Sequence, residues 1–250
     1  LEFIDAAGNM FLNSPATYIL IRGKRLLKHP GANTKAITTT GLKLIYVLLQ
    51  NPYLLQATYR EMAASAGIAA SSVVNILSNL EEFLYIQRQR NGGYRLTDYT
   101  KLLHRWELGY AERLRPKLFL GTFTPSRQSF SELTKSLNQF AKNDHFLIGG
   151  ELGAAIATDY LRPQKVTLHV SGNYRPLLVK LRLKPDPNGE ITLLNQFGTS
   201  NAWVSAENQN PPLASPLLLY AELLMENDDR LRETAERLLE KYIAPQYLHA

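Results

Sequence analysis

The chain contains no cysteine. That absence excludes disulfides, thiolate zinc sites and cysteine nucleophiles, and it fits a reducing cytosol. Histidine is sparse too: His29, His104, His145, His169 and His249 are scattered, and none pairs with another at metal-ligand spacing. No apolar run approaches the roughly 18 residues a membrane helix needs. No signal-peptide pattern opens the sequence, and no repeat or low-complexity tract interrupts it. Nowhere does a nucleophile stand with a base and an orienting group. The expectation is therefore no enzyme, no metal, no cofactor and no membrane partner. The chain starts at Leu1 instead of Met, as a processed or truncated product would.

What is present is enough apolar residue, 45% of the total, to build real cores. The net charge of +6 is unevenly spread: residues 1–120 hold 15 Lys+Arg against 8 Asp+Glu, and residues 121–250 hold 13 against 14. A positive field in the first half favours a nucleic-acid surface there and a different task for the second half.

The stretch Thr39–Leu96 carries the clearest pattern. An apolar helix comes first, over Gly41–Leu49. Thr58 and Glu61 have capping-box spacing and start a second helix. Ala66-Gly67-Ile68 turns the chain, and a third helix opens at Ser71 or Ser72 and runs to about Phe83. Val73, Ile76, Leu77 and Leu80 share its apolar face. Ser71, Ser72, Asn75, Ser78 and Asn79 remain on the other, where short polar side chains suit base edges. Two short alternating runs, Tyr85–Arg90 and Tyr94–Leu96, flank Asn91-Gly92-Gly93 as a hairpin. Period two puts Arg88 and Arg90 on one strand face, with Arg95 nearby, a set that suits phosphates or a minor groove. The order is that of a winged helix-turn-helix over residues 39–97, with double-stranded DNA as the expected partner. A winged helix used only for protein contacts is the alternative.

The flanks are read in turn. Residues 1–30 look strand-rich, with Asp5–Asn9 as a turn and Arg22–Arg25 as a basic patch. Residues 28–38 form a linker. Tyr53–Gln56 is a short connector or strand. Residues 98–118 form a connecting helix anchored by Trp106 at a junction. Residues 119–250 read as a separate α+β domain. It has strands at Phe119–Phe123, Phe146–Ile148, Lys165–Val170, Pro176–Leu183, Glu190–Phe197 and Ala202–Val204. It has helices at Ser129–Lys142, from Ser215-Pro216 to Leu224, and at Asp228–Tyr242. Gly149-Gly150-Glu151 turns from strand into a small-residue helix, where backbone amides can cradle a phosphate or contact a partner. It is neither a P-loop nor a dinucleotide fingerprint. Glu151 and Asp159, eight apart, align poorly for a tight site.

These motifs resemble the AbiEi-type antitoxins, the transcriptional regulators of type IV toxin–antitoxin systems. The resemblance rests on Asp5–Asn9, Thr58-Tyr59-Arg60-Glu61, Trp106–Tyr110, Leu114–Gly121, Gly149–Ala154, Tyr160–Pro163, Tyr220–Leu224 and Glu236–Tyr242. It implies an α+β chain with an N-terminal winged helix on promoter DNA. It implies a C-terminal antitoxin domain that resembles a degenerate nucleotidyltransferase scaffold. The implied partner is a cognate nucleotidyltransferase toxin. No Asp pair follows Gly149-Gly150 at the short spacing a polymerase-like metal site needs, which weighs against catalysis. The first 25 residues resemble the end of a nuclease-like domain carried by some relatives. A homodimer is left open. A nucleotidyltransferase-like or nuclease-like enzyme, and an adaptor, are the competing readings.

Overall fold

The computed structural model describes residues 3–4, 10–14, 17–21, 37–90, 92–126, 129–140, 146–198 and 212–247. The chain divides into two compact units, 1–36 and 37–250. The first is a three-stranded antiparallel meander of β1 (Phe3–Ile4), β2 (Met10–Ser14) and β3 (Thr17–Ile21). Phe11 and Tyr18 meet edge-to-face across β2 and β3, with centroids 6.0 Å apart. The Asp5–Asn9 turn, the Arg22–Arg25 patch and most of the 28–38 linker lie outside the described residues.

The second unit opens with α1 (Thr39–Gln50), whose N-cap Thr38 accepts from Gly41 N–H. Asn51 ends it, because the residue before Pro52 resists the α region. Residues Pro52–Gln56 form a 3₁₀ turn instead of a strand. Helix α2 (Tyr59–Ala66) begins on the expected capping box, with Thr58 and Glu61 each accepting from the other's backbone N–H. Gly67, at φ 62°, ends α2 in the left-handed region that only glycine enters cheaply. Helix α3 (Ala70–Glu82) follows, bent 99° from α2. The hairpin β4 (Ile86–Arg88) and β5 (Tyr94–Leu96) pairs Gln87 with Arg95. Val73, Ile76, Leu77 and Leu80 of α3 are buried with Leu42, Ile45 and Leu49 of α1.

Helix α4 (Tyr99–Gly109) continues as a π turn over Tyr110–Leu114 and then as α5 (Arg115–Leu118). Proline explains the widened turn: Pro116 has no N–H, and its ring crowds the carbonyl four residues back. The same device recurs at the C-terminus. There α10 (Asp229–Leu238) widens into a π turn at Leu239–Ile243, ahead of Pro245 in α11 (Ala244–Tyr247).

The sheet half holds β6 (Phe119–Pro125), α6 (Phe130–Phe140), β7 (Phe146–Gly149), α7 (Gly150–Thr158), β8 (Val166–Val170), α8 (Arg175–Lys180), β9 (Leu183–Pro185), β10 (Ile191–Asn195) and α9 (Pro216–Leu223). The five strands order β7-β8-β10-β6-β9, with β8 and β10 parallel and the other pairs antiparallel. The free edge of β7 is covered: Ile148 exchanges backbone bonds with Pro212 and Ala214 just before α9. Every residue of α9 is buried, as expected of a helix apolar on all sides.

One expected strand is a helix. Pro176–Leu183 alternates apolar and polar, but Arg175–Lys180 is α8 and the strand β9 starts only at Leu183. Asn173 Oδ1 accepts from Arg175 N–H, and Pro176 presets φ in the first turn. The helix then buries Leu177 and Leu181 and leaves Val179 exposed. The expected strand at Ala202–Val204 lies outside the described residues.

Candidate nucleic-acid interface

Helices α2 and α3 are bent by 99° across a three-residue break containing Gly67. One side of α3 is anchored in the core. On the other, Ser71, Asn75, Ser78 and Asn79 are exposed and Ser72 is half-buried. Val74 joins them, 49% exposed, at helical spacing from Ser71 and Ser78. Sequence reasoning passed it over as apolar. Its signal was the spacing: it falls off the Val73–Ile76–Leu80 stripe, and a methyl on a reading face can meet a thymine methyl. The N-cap of α3 is Ala69, which supplies no side-chain cap. Ser72 N–H bonds back to Ala69 C=O at 3.0 Å, and no side chain caps the two amides before it.

Arg88, Arg90 and Arg95 are all exposed. Arg88 and Arg90 do not share a strand face as period two predicts. Strand β4 stops at Arg88, and Arg90 lies in the turn that follows. Arg95 donates from Nη2 to Gln87 Oε1 at 2.9 Å across the hairpin. The hairpin thus exposes Arg88 and Arg95 on its strands and Arg90 in its turn.

Gly149, Gly150 and Glu151 are buried and already engaged. Gly150 has φ +58°, and its N–H donates to Glu222 Oε2 at 2.7 Å. The protein's own carboxylate therefore holds the amide that an external phosphate would use. Glu151 Oε2 accepts from Gln164 N–H at 2.8 Å. A Cβ at Gly149 would come within 2.8 Å of His169 Nε2 and 2.9 Å of Glu222 Oε2, so glycine is required by the close approach.

Glu222 gathers the junction between helices and sheet. Tyr110 Oη donates to its Oε1 at 3.0 Å, and His169 Nε2 lies 3.0 Å from the same oxygen. Neither ring nitrogen of His169 has a hydrogen bond of good geometry among the described residues, so the ring packs against the carboxylate without a directed bond. Arg115 stands near, its buried Nε also without a hydrogen-bond partner among the described residues. It lines a cavity of about 150 Å³ with Gly150, Thr167 and Glu222. Burial pushes the Glu222 carboxyl up, but His169, the Arg115 charge and the Tyr110 hydroxyl outweigh it and hold the group below its ordinary value. Above this cluster Tyr46 Oη and Ser215 Oγ are 2.6 Å apart. Burial drives the Tyr46 and Tyr110 phenols well above their usual range.

Sequence reasoning missed Glu222, Tyr110, His169, Tyr46 and Ser215 as a set. A lone carboxylate inside Pro216–Leu223 was the available signal. Among the described residues no cluster of three or more His, Asp or Glu side chains could hold a metal ion.

Residues 95–244, well over half of the chain, match the family described as AbiEi antitoxin, transcriptional regulator, type IV toxin–antitoxin system. The chain belongs to this family. No curated protein matches it, and no solved structure does. AbiEi proteins are regulatory antitoxins and not enzymes. The matched AbiEi region includes Trp106, Tyr110, Gly149, Gly150, His169 and Glu222, and so covers the buried junction and the sheet. It begins at Arg95 and leaves α1, α2 and α3 outside. No helix among the described residues is long and apolar enough to cross a membrane.

Proposed function

We propose that this AbiEi-family chain is a DNA-binding transcriptional regulator whose winged helix-turn-helix reads duplex DNA. Helix α3 enters the major groove and the wing grips the backbone. One observation carries the reading: Ser71, Val74, Asn75 and Ser78 form an exposed row on a helix whose opposite side is locked in the core. Helix α3 has no Lys or Arg of its own, so affinity comes from Arg88, Arg90 and Arg95, and the row supplies specificity. Paired half-sites and a two-fold homodimer go with this mode of binding.

The sheet half is the proposed antitoxin part, a nucleotidyltransferase-like scaffold directed at a cognate nucleotidyltransferase toxin in the cytoplasm. Its support is the Gly149-Gly150 turn, which is faced from β8 by Thr167 and His169. Those side chains are a hydroxyl and an imidazole where a two-metal site would need paired carboxylates.

Fluorescence anisotropy on labelled duplexes selected from a random pool tests the DNA reading. The variant R88A/R90A is expected to lose affinity for every duplex, with the log–log salt slope reduced by about 1 to 2. Asn75→Ala is expected to lose discrimination at one base pair, worth about 1–3 kcal/mol. Duplex affinity unchanged in the arginine variant would remove the wing from the interface.

A further inference from the structure

The outer edge of the wing has one backbone position that the protein leaves open. Thr97 N–H bonds to Tyr85 C=O, and Gln89 N–H bonds to Gly93 C=O. Antiparallel alternation then makes Gln87 and Arg95 the bonded pair between them and turns the N–H and C=O of Tyr94 and Leu96 away from β4. A third strand would normally take that edge. Here its place is held by the 3₁₀ turn Pro52–Gln56, which cannot pair as a strand. The Gln56 side-chain amide fills in, donating to Tyr94 C=O at 2.6 Å. No such substitute reaches Leu96 among the described residues, so both its outward N–H and its outward C=O are open.

Leu96 lines a cavity of about 510 Å³, within the usual range for small-ligand pockets. Its lining includes Tyr53, Gln56, Tyr94, Tyr99 and Thr100. Tyr99 is fixed, its hydroxyl donating to Leu49 C=O at 3.0 Å. Tyr53 is 67% exposed and supplies an aromatic side chain to the lining. An extended peptide would need several successive edge positions to add as a strand. Gln56 has already taken the Tyr94 carbonyl, so among the described residues Leu96 is the position of this edge that offers both a donor and an acceptor. That suits a compact planar ring with a donor beside an acceptor, seated against an aromatic side chain.

We propose that this cavity behind the wing binds a purine or pyrimidine base, with Leu96 N–H and C=O pairing with the base edge and Tyr53 stacking on its face. Base edges carry adjacent donors and acceptors, and aromatic stacking on a base is worth about 1–3 kcal/mol. The site is separate from the α3 face, and its test needs no DNA.

The full chain, labelled with ¹⁵N, is titrated with adenosine, guanosine, cytidine and uridine at millimolar concentration, with inorganic phosphate as control. Expected are saturable shifts of the Leu96 and Thr97 amides with at least one nucleoside and none with phosphate. Tyr53→Ala, at an exposed position, should weaken that binding about fivefold or more. Leu96→Pro removes the outward donor, which is not in the ladder, together with a side chain packed on the core, and should weaken binding as well. If Leu96→Pro fails to fold, Tyr53→Ala decides alone. No saturable shift with any of the four nucleosides, an affinity untouched by Tyr53→Ala, or the same shifts from phosphate would each overturn the proposal.

Discussion

Glu222 sits between Ala221 and Leu223 in a helix with no exposed residue. A buried carboxylate there is offset by two hydrogen bonds, from Gly150 N–H and Tyr110 Oη, and by the His169 ring packed 3.0 Å away. Its folded value lies below the ordinary 4.5, so it contributes stability above that value. The contribution is lost as the pH falls through the depressed folded value. Thermal melts from neutral pH down past the ordinary carboxylate range should therefore show a steep acid loss in the wild type and a shallower one in Glu222→Gln. Exposed caps such as Glu61, Asp98 and Asp228 also have lowered values and leave a residual slope in both. Glu222→Ala should cost about 3–5 kcal/mol in urea unfolding, because it strands buried partners. Equal acid slopes in wild type and Glu222→Gln would dismiss the carboxylate as the cause. The residue was visible in the sequence as a lone charge in an apolar run. Its partners were not, since Tyr110, His169 and Gly150 meet it only through the fold.

Trp106 is the element-scale counterpart, the point where α4 grips α1. Its indole N–H donates to Leu42 C=O at 3.1 Å, and its ring lies against Tyr110 at 5.3 Å and Tyr46 at 5.5 Å. It is fully buried, so the apolar stripe of residues 98–114 correctly marked both helix and anchor. Trp106→Ala should destabilise the protein by about 3–5 kcal/mol, through a cavity and the lost indole hydrogen bond. A loss below 1 kcal/mol, on the order of a surface substitution, would mean that the brace carries little. Capping boxes and long amphipathic helices were legible because their signals are local. Helix α8 was not: a short run with Val179, Leu181 and Leu183 fits period two and a helical face equally, and only Pro176 and the packing of Leu177 and Leu181 decide. The Gly-Gly turn was legible as geometry and illegible as chemistry. The carboxylate that fills it comes from residue 222, far along the chain.

At the scale of the whole molecule, residues 37–250 form one compact unit, and the boundary drawn at 119 falls inside it. The sheet half nevertheless owns all five strands and the helices α6, α7, α9 and α10. Its polar and aromatic ties to the helical half include the Tyr46–Ser215 bond, the Tyr46 ring against Phe197 at 5.0 Å, and the Tyr110–Glu222 bond. Gly198 also packs closely on Gly67 at the end of α2. Cutting at 119 exposes those groups but breaks no strand pairing. We therefore expect the fragment 119–250 to fold cooperatively on its own sheet, with a lower denaturation midpoint than 37–250. In the fragment the Glu222 carboxylate loses Tyr110 and the Arg115 charge, so its acid sensitivity should shift to higher pH. Urea unfolding of the two pieces across the acid range measures both effects. Hydrogen exchange on Phe146–Ala157 reports whether β7 and α7 stay protected. A fragment with no cooperative transition and no protection there would show that the junction is part of the sheet's own core. The helical half would then be indispensable to the fold of the family domain.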